Sequence, residues 1–155
     1  MSDMIDFLAF AASLMLALCL PMQASAETGI SNEDTIVAQA TDGFLKSTKG
    51  RYFDKACNEQ VDYSAKVVDL NGDGQPEVIT NQQSICLAGM AGNLVDLYIK
   101  DKHGQWQSQF GFGGAAELLK TRHLGYPDIE ISGPGMCFPV WRWNGTKYRI
   151  YKKCP

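Results

Sequence analysis

Apolar residues follow three different spacings along this chain, and each spacing predicts a different kind of structure. Phe7 to Leu20 is an unbroken apolar run without a charge. From Ser31 the spacing turns helical, with Ile36, Val37, Ala40, Phe44 and Leu45 on one stripe behind a first turn that carries Glu33 and Asp34. Ser31 or Asn32 serves as the cap, and one helix running to about Lys46 is expected. Ser47 to Glu59 contains Gly50, Arg51, Tyr52 and Cys57 and keeps no sustained period, which predicts a disulfide-anchored loop. From Tyr63 onward the alternation is that of strands, expected at 63–69, 77–81, 94–100, 105–110, 117–121, 128–132, 140–143 and 147–151.

Short connections decide how those strands pair. Asp101-Lys102-His103-Gly104 has hairpin chemistry, and Asn144-Gly145 predicts a two-residue type I′ turn that sets Trp141 opposite Tyr148. Parallel strands would need crossover helices, for which the chain has no room here. The expected fold is α+β: an N-terminal helix packed on a predominantly antiparallel sheet, stapled by disulfides.

The leading apolar run ends at Pro21 and is followed by Ala24-Ser25-Ala26, a small-x-small cleavage pattern. It is shorter than the ~20 residues that span a bilayer as a helix. Residues 1–26 are therefore expected to be a cleaved signal peptide and 27–155 a single α+β domain, placing the protein in the periplasm or outside the cell. Met1 to Asp6 carries Asp3 and Asp6 but no base, a departure that leaves a misassigned start or an uncleaved anchor as the alternative. Cys19 follows Leu16-Ala17-Leu18, which argues against lipid attachment.

Cleavage leaves Cys57, Cys86, Cys137 and Cys154, an even set in an exported chain, and two disulfides are expected. Spacing alone allows three pairings; Cys86 with Cys137 and Cys57 with Cys154 is the expectation, because it ties down the C-terminus. With a net charge of -3 and no basic excess, the composition disfavours nucleic-acid binding.

The densest chemistry lies in Val67-Val68-Asp69-Leu70-Asn71-Gly72-Asp73-Gly74-Gln75-Pro76-Glu77-Val78-Ile79. Oxygen-bearing side chains occupy loop positions one, three and five, a glycine position six and a carboxylate position nine. Asp69, Asn71, Asp73 and Glu77, with the Gln75 carbonyl, could supply several of the ~6–8 oxygen ligands that calcium takes. Turn preference explains Asn, Asp, Gly and Pro, but not acids at alternating positions plus Glu77. Magnesium, which demands stricter octahedral geometry, fits less well. The stretch resembles the calcium loops of FG-GAP and VCBS-like exported proteins, D-x-N-x-D-G-x-x-D/E between two strands. The resemblance covers Asp69 to Glu77 and the flanking apolar residues only. It implies calcium as the cofactor but no propeller, because a propeller needs about four or more repeats and this loop occurs once. Thr80 at position twelve and strand-like flanks separate it from an EF-hand.

Three other features bear on function. From Trp141 to Pro155 there are five basic residues and no acid. Arg142, Lys147, Arg149 and Tyr151 fall on the face opposite the aromatic one. That face is either a contact surface for an anionic partner or, as any half-buried hairpin would give, a solvated back. The stretches Cys86 to Gly92 and Gly111 to Gly114 lack phosphate-loop spacing and are expected to be loops. Neither a G-x-S-x-G elbow nor H-E-x-x-H occurs, and His103 and His123 fall in turns without a sequence-adjacent partner. The expectation is a non-enzymatic, calcium-stabilised binding protein of the cell envelope, with an inhibitor or immunity-type role and a protein or envelope polymer as partner. The alternative is a small polysaccharide-active hydrolase using Asp128 and Glu130.

Overall fold

The computed structural model describes residues 31–135 and 138–153. The expected signal peptide and Met136, Cys137 and Cys154 lie outside them. Ser31 opens helix α1 (Asn32–Ala40) through a capping box: its hydroxyl accepts from the Asp34 amide at 3.0 Å, and the Asp34 carboxylate accepts from the Ser31 amide at 3.3 Å. The helix stops six residues short of the expected Lys46. Asp42 and Gly43 turn left-handed, with φ of 52° and 74°, and the Gly43 amide bonds back to the Ala38 carbonyl at 2.6 Å. Thr41 then holds the exit by accepting from the Leu45 amide at 3.0 Å, which buries Leu45 beside Val37.

Among the described residues nine strands follow in two antiparallel sheets: β1 (Lys49–Asp54), β2 (Glu59–Val68), β3 (Glu77–Gln83), β4 (Asn93–Lys100) and β5 (Trp106–Gly113) in a five-stranded meander, then β6 (Ala115–His123), β7 (Tyr126–Ser132), β8 (Val140–Trp143) and β9 (Tyr148–Lys152) in a four-stranded one. The mixture of short capped helices and antiparallel sheet is the α+β class expected. Alternation along β4 shows how the layers form. Val95, Leu97 and Ile99 point to the four-stranded sheet and pack with Phe110, Ile129, Ile131, Trp143 and Tyr148. Tyr98 points the other way, into the smaller core that α1 makes with Tyr63 and Val78.

Four further expectations need correction. Strand β1 lies where a loop was expected: it is an edge strand with alternately exposed residues, tied across to β2 by the Arg51–Asp62 ion pair rather than by an apolar pattern. The Gly-rich stretches are also ordered. Cys86 belongs to the short helix α2 (Ile85–Ala88), which runs on into a 3-10 turn at Gly89–Ala91, while Gly111 to Gly113 end β5. Third, β8 and β9 pair Trp143 with Tyr148 and Trp141 with Ile150, not Trp141 with Tyr148. The Asn144 carboxamide accepts from the Thr146 and Lys147 amides at 3.0 and 2.9 Å, which makes a four-residue turn and puts the Trp143–Tyr148 pair in the core.

The fourth correction is the disulfide, which joins Cys57 to Cys86. Pairing of β2 with β3 sets Asp62 opposite Gln83. Residues just before β2 therefore meet residues just after β3, and the two cysteines fall at the same end of that hairpin. Ser84 reinforces the junction, capping α2 by accepting from the Leu87 amide and donating to the Glu59 carboxylate. The bridge spans 29 residues, a loop for which chain entropy predicts about 3–4 kcal/mol of stabilisation. Replacing both Cys57 and Cys86 by Ala should lower the unfolding free energy by that order. An unchanged denaturation midpoint would show that the bridge contributes nothing to the fold.

Candidate metal centre

The loop from Asp69 to Pro76 joins β2 to β3 and folds around the Asp69 carboxylate. Its Oδ1 accepts from the Gly72 and Asp73 amides at 2.7 and 3.2 Å, and its Oδ2 from the Gly74 amide at 2.8 Å. Gly72 and Gly74 take φ of 79° and 83°, a conformation that side-chain-bearing residues adopt with strain. The bond from the Gly74 amide, helped by the other loop amides, holds the Asp69 carboxyl below the usual carboxylate range. Asn71 Oδ1 accepts from the Asp73 amide, Asn71 Nδ2 donates to Asp73 Oδ2 at 2.9 Å, and Asp73 Oδ1 accepts from the Gln75 amide at 2.7 Å. Asp69, Asn71, Asp73 and Gln75 thus share one tight turn whose side-chain oxygens are held largely by the loop's own donors.

Glu77 differs from the other acids. It is 2 % exposed, at the seam between the sheets. Its Oε2 accepts from the Leu70 amide at 2.6 Å and its Oε1 from the Tyr126 hydroxyl of β7 at 2.9 Å. Burial pushes its carboxyl up from the ordinary value, against the lowering effect of those two donors. The Tyr126 hydroxyl is itself pushed up by burial and by the Glu77 charge. Arg122 adds a second tie, donating from one nitrogen to the Leu70 carbonyl at 2.8 Å and the Gly125 carbonyl at 2.7 Å. Beside this anchor lies a cleft of about 340 Å³ walled by Asp73, Gln75, Glu77, Lys100, Asp101 and Tyr126.

Arg122 and Tyr126 were not singled out from the sequence. Each lies about fifty residues from the loop it holds, and the alternation of β6 and β7 gives no sign of a distant partner. Among the described residues, no three His, Cys, Asp or Glu side chains converge at ion-binding spacing.

The C-terminal hairpin brings Arg142, Arg149 and Tyr151 together around one shallow depression and leaves Lys147 in the turn. Arg142 forks onto Asp128 with Nε to Oδ1 at 2.8 Å and Nη2 to Oδ2 at 2.7 Å, and its guanidinium lies 3.4 Å from the centre of the Tyr151 ring. Lys147 and Arg149 are exposed in the turn and on β9. Asp128, one of the two acids of the hydrolase alternative, is 1 % exposed and also accepts from the Thr121 hydroxyl at 2.6 Å. The Arg142 bond holds its carboxyl below the ordinary value. His123 Nδ1 meets the Trp143 carbonyl at 2.9 Å, and His103 occupies the Asp101–Gly104 turn, which forms as expected.

Two predictions follow from these partners. Tyr126→Phe leaves Glu77 Oε1 short of a donor in a buried site and should lower stability by about 1–3 kcal/mol in urea denaturation. Wild-type stability on the Tyr126→Phe variant would show that this bond does not hold the seam. Because the folded Asp128 carboxyl lies below its unfolded value of 3.8, the pair stabilises the fold above about pH 4, and that contribution is lost as pH falls through the folded value. Arg142→Met should lower stability at pH 7, because it leaves the covered Asp128 carboxylate without its partner. It should also shallow the acid limb of the stability profile, and an unaltered limb would remove Asp128 from the acid transition. No protein-family model matches the chain, and no curated protein or solved structure shows significant similarity to it.

Proposed function

We propose that this is an exported, calcium-stabilised binding protein of the periplasm or cell exterior, without catalytic chemistry of its own, that engages a protein or polymer of the cell envelope. The observation that carries the calcium part is the loop from Asp69 to Glu77. Two carboxylates and an amide oxygen share a nine-residue turn, and a third carboxylate, Glu77, anchors it at the inter-sheet seam. The donor set is all oxygen, the chemistry calcium selects. Loading would turn the Asn71 amide away from Asp73 and bring the Asn71 and Asp73 oxygens inward, with the Gln75 carbonyl as a further ligand. Calcium would offset the charge of neighbouring acids and fix a loop that already touches both sheets.

The state of Asp128 supports binding over catalysis, and the disulfide supports export. Asp128 is held ionised and covered by Arg142, which suits neither a general acid nor a nucleophile open to substrate. The Cys57–Cys86 bridge is of the kind that persists in oxidising compartments. Among the described residues no helix is long and apolar enough to cross a membrane. An inhibitor or immunity-type role suits a small, stapled, sheet-rich scaffold with an exposed Lys147 and Arg149, by analogy of architecture.

The test is thermal unfolding of the oxidised protein with excess calcium and then with chelator. An ion at ~100 times its dissociation constant adds ~2.7 kcal/mol to the folded state, a rise of several degrees. Asp73→Ala, at an exposed position, should abolish the calcium response while the chelated variant still unfolds cooperatively. An equal rise in the Asp73→Ala variant, or no rise in the parent, would reduce the loop to a polar turn.

A further inference from the structure

The end of the molecule opposite the acidic loop carries an open cleft of about 770 Å³ between the two sheets, within the ~300–1,000 Å³ range of ligand sites. Its walls combine three carboxamides, Asn81, Gln83 and Asn93, with two hydroxyls, Ser64 and Ser132; none of its described lining residues is charged. The floor is fixed. Asn93 Nδ2 donates to Asn81 Oδ1 at 3.1 Å and to the Gly114 carbonyl at 2.6 Å, and the Gly114 amide donates to the Asn93 carbonyl at 2.7 Å. A Cβ at Gly114 would lie 2.1 Å from the Ser132 carbonyl, so only glycine lets the two sheets approach this closely behind the cleft. The Gln83 and Ser64 side chains are exposed, and no described residue bonds to either.

Two smaller depressions continue the cleft. One of about 400 Å³ shares Ser64 and Gln83 with it and reaches Lys49 and Asp62. The other, of about 240 Å³, shares Gly133 and Pro134 and is walled by Phe112, Phe138 and Trp141. Phe112 and Trp141 present rings 4.8 Å apart. The series is therefore an aromatic seat, an uncharged amide and hydroxyl centre, and an outer end that carries the charged Lys49 and Asp62, all open to solvent.

We propose that this trough is a binding site for a neutral glycan chain, with the amides and hydroxyls of the cleft bonding sugar hydroxyls and the Phe112–Trp141 pair receiving the apolar face of a ring. Uncharged donors and acceptors in one open groove match a ligand that is polyhydroxylated and carries no charge. A phosphate or carboxylate polymer would leave its charge without a partner in the centre. Length and openness favour a polymer threading across over an enclosed small molecule. Stacking rings with a few placed polar groups are the usual makeup of a ligand pocket. This inference rests on the reading of the protein as an envelope-binding module and names its ligand class and site.

The test is titration of the oxidised ¹⁵N-labelled protein with chitotetraose, cellotetraose and maltotetraose to about 10 mM, a range that detects millimolar affinity. At least one should shift the amide resonances of Gln83, Asn93, Gly114 and Gly133 together. Gln83→Ala and Ser64→Ala, both at exposed positions, should each weaken that binding by about fivefold while leaving the spectrum otherwise native. Absence of shifts with all three sugars overturns the glycan assignment. So do shifts confined to the Arg142–Tyr151 face, or binding that both variants retain. If no sugar shifts the cleft resonances, capture of an envelope protein that Gln83→Ala binds as well as the parent would preserve the binding reading while removing this site. A protein that binds neither sugars nor envelope components loses both.

Discussion

A buried carboxylate that must find donors governs how the two halves of this protein meet. Glu77 begins β3 where the strand leaves solvent, and its side chain lies in the seam between the sheets. A carboxylate there costs several kcal/mol unless it is bonded. One donor comes from its own loop, the Leu70 amide, and the other from the opposite sheet, the Tyr126 hydroxyl. Meeting both requirements fixes the loop against β7 and sets the register of one sheet over the other. The apolar residues behind it, Leu70, Tyr126, Trp143 and Tyr148, can pack densely because that polar contact is already satisfied.

The two apolar layers have different strengths. The inter-sheet core draws large side chains from both sheets and contains four aromatic rings, Phe110, Tyr126, Trp143 and Tyr148, several of them edge to face. The layer under α1 is smaller. A nine-residue helix contributes mainly Val37 and Ala40, with Leu45 following it. A helix this short is not stable alone, so its capping box and the Asp34 bonds to Thr48 at 2.6 and 3.0 Å matter more than they would in a longer one. The disulfide acts elsewhere, at the far end of the β2–β3 hairpin, beyond the residues of either core.

Local chemistry was legible in the sequence, and distant pairing was not. Ser31 with Asp34, the Asp101 turn and the strands from Tyr63 onward all follow from spacings of two to four residues. Strand β1 escaped notice because an edge strand buries too little to show alternation, and its Arg51–Asp62 tie depends on a partner eleven residues away. Starting β2 at Tyr63 rather than Glu59 also hid the disulfide, since it is the β2–β3 pairing that carries Cys57 to the end where Cys86 lies. At the last hairpin, Asn-Gly predicts a two-residue turn, but the Asn144 side chain offers its own bonds to the backbone, and core volume favours Trp143 opposite Tyr148. The acidic residues of the loop were legible as a group. What holds them was not, because Arg122 and Tyr126 belong to a sheet that the local pattern places without saying what it covers.

Strand β3 links the acidic loop to the cleft. It carries Glu77 at one end and Asn81 and Gln83 toward the other, so about 20 Å of strand separates the buried carboxylate from the far amide at the rise of an extended chain. Along that length β3 is paired on both sides, to β2 and to β4, which leaves little freedom for a change at the loop to reshape the cleft. An ion at Asp69 and Asp73 would therefore act on how long the strand stays paired rather than on where the Gln83 amide points. One element therefore joins two chemistries: its acidic end holds the sheets together, and its amide end, near the Cys57–Cys86 bridge, lines the open cleft.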